Sequence, residues 1–76
     1  MNIVKVEPQD NYQLLVHAEN GLTGVFDVSP YLESEAFLPL REKENFSKVT
    51  SGGYFIAWDC GADLSADTIE AKWRIA

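Results

Sequence analysis

Cysteine is almost missing from this chain: Cys60 stands alone among 76 residues. A single thiol forms neither an internal disulfide nor a zinc site, and that suits a reducing compartment. A cytoplasmic location is therefore expected. Long apolar runs are missing too, since no stretch approaches the ~20 residues needed to cross a bilayer. The opening MNIVKVEPQD lacks a basic region followed by an apolar segment, so no signal peptide and no membrane association are expected. Bases are few and dispersed. Lys5, Arg41, Lys43, Lys48, Lys72 and Arg74 face twelve acids, for a net charge of −6. Direct nucleic-acid binding needs clustered Lys and Arg to neutralise phosphates, so it is disfavoured. An acidic surface serves solubility, and it also suits a basic protein partner.

What remains is enough for one core. Apolar residues make up 46% of the chain and aromatics 12%, Trp58 and Trp73 among them. That composition is too apolar for a disordered tail. The length allows one domain, residues 1–76, with no second core.

Periodicity divides the chain into strands and short helices. IVKVEPQ reads as a strand with Val4 and Val6 on one face, ended by Pro8. YQLLVHA puts Tyr12, Leu14, Val16 and Ala18 on one face, with His17 opposite. Asn20-Gly21 predicts a type I′ hairpin turn into LTGVFDV. Pro39 is expected to split the helical stretch that follows Ser29-Pro30. Thr50 to Gly53 reads as a turn, and YFIAWD as a strand with Tyr54, Ile56 and Trp58 on one face. A C-terminal helix then places Ile69 and Trp73 on one face and pairs Glu70 with Arg74. The expected class is α+β: one small domain of antiparallel β-hairpins and short helices.

Two segments echo each other, FDVSPYLE at 26–33 and ADLSADTIE at 62–70. Upstream, Tyr12-x-Leu14-x-Val16 precedes Gly21 as Tyr54-x-Ile56-x-Trp58 precedes Gly61. The pattern is compatible with two ββα-like halves. In each, Ser29 or Ser65 suits a helix N-cap, and Asp67 suits a first turn. Asp27 and Asp63, just upstream, suit acceptance of free N–H groups from the same turn. The competing reading gathers Asp27, Asp63 and Asp67 as acid/base or metal-binding carboxylates of a small-ligand or metal-binding enzyme. Asp59, Asp63 and Asp67 have no calcium-loop pattern and straddle a strand end, a glycine and a helix start. His17 has no nucleophile placed for it, and carboxylates around Cys60 disfavour a reactive thiolate. No cofactor is expected. Leu15, Val25 and Phe55 fall on faces opposite the expected core, which suits an apolar patch for a protein partner or for self-association.

Together these residues resemble the bacterial domain-of-unknown-function family DUF2442. The resemblance rests on Val4-Lys5-Val6-Glu7-Pro8, then Tyr12, Leu14, Val16 and Asn20-Gly21, then Asp27-Val28-Ser29-Pro30-Tyr31-Leu32. It continues through Phe37, Leu40, Phe46 and Val49 to Trp58, Gly61, Ala62, Asp63, Leu64, Ser65 and Asp67, covering roughly residues 3–70. Ala18, Ala66 and Asp59-Cys60 depart from the usual pattern. The resemblance implies a compact α+β domain without an established enzymatic activity. Some members are fused to a helix-turn-helix, for which this chain has no room. Others sit beside a second small gene in an arrangement like a toxin–antitoxin pair. The resulting expectation is a non-enzymatic, protein-interaction or regulatory module, antitoxin-like, acting on a basic partner.

Overall fold

The computed structural model describes residues 1–76. β1 (Ile3–Gln9), β2 (Gln13–Ala18) and β3 (Thr23–Asp27) form an antiparallel meander, to which β7 (Arg74–Ile75) adds beside β3. β4 (Thr50–Ser51), β5 (Phe55–Ala57) and β6 (Asp63–Ser65) form a second, three-stranded meander. Between the meanders run 3₁₀ turns at Ser29–Tyr31 and Glu35–Arg41 and one turn of helix, α1 (Lys43–Phe46). α2 (Ala66–Lys72) follows β6. An Ile3–Gly53 bridge joins the start of β1 to the β4–β5 turn. This is an α+β domain. Its halves each carry three strands rather than the two expected.

The echo between the halves is sharpest at the hairpin tips. Ala18 N–H donates to Leu22 O at 2.8 Å, and Gly21 N–H to Ala18 O at 3.1 Å. Trp58 N–H donates to Ala62 O at 2.9 Å, and Gly61 N–H to Trp58 O at 3.0 Å. Both are three-residue loops, Glu19-Asn20-Gly21 and Asp59-Cys60-Gly61, closed by a glycine at φ 89° or 99°. The expected type I′ turn is thereby corrected. It needs positive φ at Asn20 as well, and Asn20 does not have it. The arms differ in length. Leu14 pairs with Phe26, but Ile56 pairs with Leu64, the counterpart of Val28, so the ladder of the second half is two residues shorter.

Other local expectations shift for identifiable reasons. A register slip between Ile3 and Lys5 turns Val4 outward, 58% exposed, while Ile3 and Val6 face the core. Pro8 does not end β1, because β1 is an edge strand and tolerates it. Tyr12 sits in the β1–β2 turn with φ 59°, its ring edge-on to Phe46 and its hydroxyl donating to Arg41 O. Pro39 lies inside the 3₁₀ segment, and the break before α1 comes at Glu42. Tyr54 precedes β5 and is exposed.

The core lies between the two sheets and under the helical segments. Leu14, Val16, Phe26 and Val28 from the first half meet Ile56, Trp58 and Leu64 from the second, with Leu40, Phe46 and Ile69 from the helical parts. Rings run through it in series: Phe26, Tyr31, Phe37, Trp58, Phe46 and Tyr12, with successive centroids 5.4 to 6.1 Å apart. The series carries packing from β3 through the helical stretch to the end of β5. α2 stops before Trp73, which is already extended, so the Glu70–Arg74 pair does not form. Arg74 instead joins β7 and approaches Gln13, and Glu70 pairs with the Met1 amino group at 3.2 Å.

Candidate functional site

The two Asp-x-Ser segments have different structural roles. Ser65 is the N-cap of α2: its backbone is extended, and its hydroxyl accepts from Thr68 N–H at 3.1 Å. Asp67 lies in that helix's first turn. Ser29 is not a cap, a correction to the expectation. It is the first residue of a 3₁₀ turn, and Asp27 serves that turn by accepting Ser29 N–H at 2.9 Å. Asp63 also departs from expectation. It is the first residue of β6, opposite Ala57 and exposed, and no N–H of the turn or of α2 donates to its carboxylate. Ser65→Ala is therefore expected to cost about 1 kcal/mol and lower Tm by about 4–8 °C. Ser29→Ala and Asp63→Ala should each stay within about 0.5 kcal/mol in the same melts. Equal losses at all three positions would contradict this division.

The carboxylates do not gather. Asp27 shares a surface recess of about 470 Å³ with Tyr31 and Lys72, and neither Asp63 nor Asp67 lines it. No three His, Cys, Asp or Glu side chains converge to hold a metal ion. The largest cleft, about 610 Å³, lies by the β1–β2 turn and is lined by Asp10, Asn11, Tyr12 and Lys43 among others. Sequence reasoning did not flag it, because its shape depends on the left-handed Asn11-Tyr12 backbone.

His17 stands on the outer face of the four-stranded sheet. Its Nε2 lies 2.7 Å from Glu7 Oε2 and its Nδ1 3.4 Å from Thr23 Oγ1. The His17 hydrogen bond, aided by the charges of Lys5 and His17, holds the Glu7 carboxyl below its ordinary value of 4.5. Carboxylate, imidazole and hydroxyl stand in the order of a proton relay, yet none of the three lines a cleft. The group is a surface polar cluster tying β1 to β2 and β3. Cys60 is exposed at its hairpin tip.

The apolar trio is divided by the fold. Leu15 and Val25 are direct cross-strand partners, half-buried on the outer face of the four-stranded sheet. Phe55 belongs to the other sheet, where it is 47% exposed and pairs with Ser65. Neither outer face is sealed. Inward positions on the same strands, such as Leu14, Val16, Phe26, Ile56 and Leu64, are buried.

Comparison with known proteins bears on the same arrangement. The model of the family described as "Protein of unknown function (DUF2442)" matches residues 3–74. The chain belongs to the DUF2442 family. The match takes in both meanders, both Asp-x-Ser segments and the first residue of β7. No curated protein and no solved structure matches the chain. No helix of this DUF2442 domain is long and apolar enough to cross a membrane.

Proposed function

We propose that this DUF2442 domain is a non-enzymatic, antitoxin-like regulatory module of the bacterial cytoplasm that works by binding a basic protein. The observation that carries the reading is the uncovered outer face of each sheet. Leu15 against Val25, half-buried, on one sheet, and the exposed Phe55 on the other leave apolar surface in contact with solvent in a chain of net charge −6. Exposed apolar groups rimmed by charge favour association, while the net charge keeps the free domain soluble and selects a partner of opposite sign.

The test is co-expression with the products of the genes adjacent to its own, followed by gel filtration. A complex of fixed stoichiometry is expected at low salt, weakened as ionic strength rises because exposed charges are screened beyond about 8–10 Å at physiological salt. Failure to form a complex with a folded domain would remove the antitoxin-like form of the proposal.

A further inference from the structure

From Val49 to Ala71 the chain contains no Lys or Arg, but it contains Asp59, Asp63, Asp67 and Glu70. The remaining eight acids share the rest of the chain with all six bases. The stretch makes up the whole three-stranded sheet and most of α2, which follows directly from β6. Only Glu70 of these four acids enters one of the chain's ion pairs, to the Met1 amino group. Asp59, Asp63 and Asp67 are exposed and unneutralised.

Two exposed aromatic residues, Tyr54 and Phe55, belong to the same stretch. Phe55 points outward from β5, its ring lying over Gly52, where an added Cβ would fall 2.2 Å from the ring. Its other side is open, and the cross-strand neighbours on its face are Ser65 and, diagonally, Asp63. Tyr54, 76% exposed, accepts Ala66 N–H at its carbonyl, which sets its backbone beside the start of α2, one residue before Asp67. The other sheet is unlike this. Its outer face carries Lys5 and Arg74, and its Glu7 is already engaged by Lys5 and His17.

We propose that the partner docks on the outer face of β4–β6 through a Lys- or Arg-bearing segment, whose cations meet the Phe55 ring and the Asp63 and Asp67 carboxylates. This rests on the interaction reading above and assigns it a face. Charge complementarity selects the occupant, since this stretch supplies carboxylate acceptors and the Phe55 ring and contains no Lys or Arg. An aromatic face attracts ammonium and guanidinium groups, and adjacent carboxylates add to that attraction.

The experiment is a titration of the ¹⁵N-labelled full chain with a short, end-capped peptide of alternating arginine and serine, followed by amide shifts at low salt. Shifts are expected to concentrate at residues 50–51, 55–57 and 63–67. Phe55→Leu, which keeps apolar bulk over Gly52 but removes the ring, should weaken binding about fivefold. Asp63→Asn with Asp67→Asn should weaken it at least as much. Glu33→Gln with Glu35→Gln removes the same charge elsewhere and should change affinity by less than about twofold. The two aspartates are exposed, so that pair carries the test even if Phe55→Leu lowers stability. No binding, shifts spread over every acidic segment, or equal weakening by the Glu33/Glu35 pair would overturn the assignment. A complex with an adjacent gene's product that tolerates the Asp63/Asp67 pair would overturn this face while leaving the interaction reading intact.

Discussion

Trp58→Ala is expected to leave the domain largely unfolded at room temperature. Trp58 is 4% exposed, and its ring lies 6.1 Å from both Phe37 and Phe46. Its indole N–H donates to Phe46 O at 2.9 Å in a buried site. Truncation removes the ring at the middle of the aromatic series and leaves a cavity, at a cost of about 3–5 kcal/mol. It also leaves the Phe46 carbonyl without its donor, which adds about 1–3 kcal/mol if water does not enter. A domain of this length holds only about 4–11 kcal/mol in total, at the usual stability per residue. Trp58→Phe separates most of the two terms, since it keeps an aromatic ring and loses the donor with a smaller loss of volume. It should cost roughly 1–3 kcal/mol and remain folded. Urea titration followed by near-UV circular dichroism checks both. A folded Trp58→Ala with a midpoint near wild type would show that the helical segment does not depend on β5 for its seat.

The sequence reported this core well where periodicity and burial coincide. Leu14, Val16 and Ala18 alternate and are buried, as are Ile56 and Trp58, because sheet pairing preserves the period of two. It reported poorly where a single residue resets the period. The slip after Ile3 inverts Val4, and nothing in IVKVEPQ announces it. Ser29 and Ser65 carry the same local signature, yet only Ser65 is followed by a segment that becomes α-helix. Pro30 leads instead into a tight 3₁₀ turn that Asp27 satisfies. The candidate patch Leu15, Val25 and Phe55 shares an outward parity along the strands, and parity is local. Which sheet each strand joins is set by long-range pairing, so a one-dimensional pattern could not separate Phe55 from the other two. The absence of bases between Lys48 and Lys72 was readable in the sequence throughout. Its placement on one sheet and the helix that follows depends on β4, β5 and β6 pairing with one another.

Gly24→Val should detach the C-terminal strand from the sheet. Gly24 is not a turn glycine, and its backbone is ordinary β3 strand paired with Val16 on one side and Ile75 on the other. Space is the constraint. A Cβ built there would meet Trp73 Cε3 at 2.4 Å, Trp73 Cδ2 at 2.6 Å and Arg74 O at 2.9 Å. Two of these atoms belong to a rigid ring and the third to backbone, so rotation of a flexible side-chain end cannot relieve the clash. Valine adds two methyl groups to the same place. Trp73 must leave its seat, and with it go the β3–β7 pairing and the Ala76 N–H to Thr23 O bond of 2.8 Å. Overpacking of this kind costs about 1–3 kcal/mol, which in a domain of this size lowers Tm by roughly 4–20 °C. Amide hydrogen exchange gives the sharper reading. Protection should be lost at Ala76 while the amides of β2 and of β5 keep theirs, because the core between the two meanders does not pass through β7. Retained protection at Ala76, with an unchanged melt, would mean that Trp73 can repack without surrendering the strand.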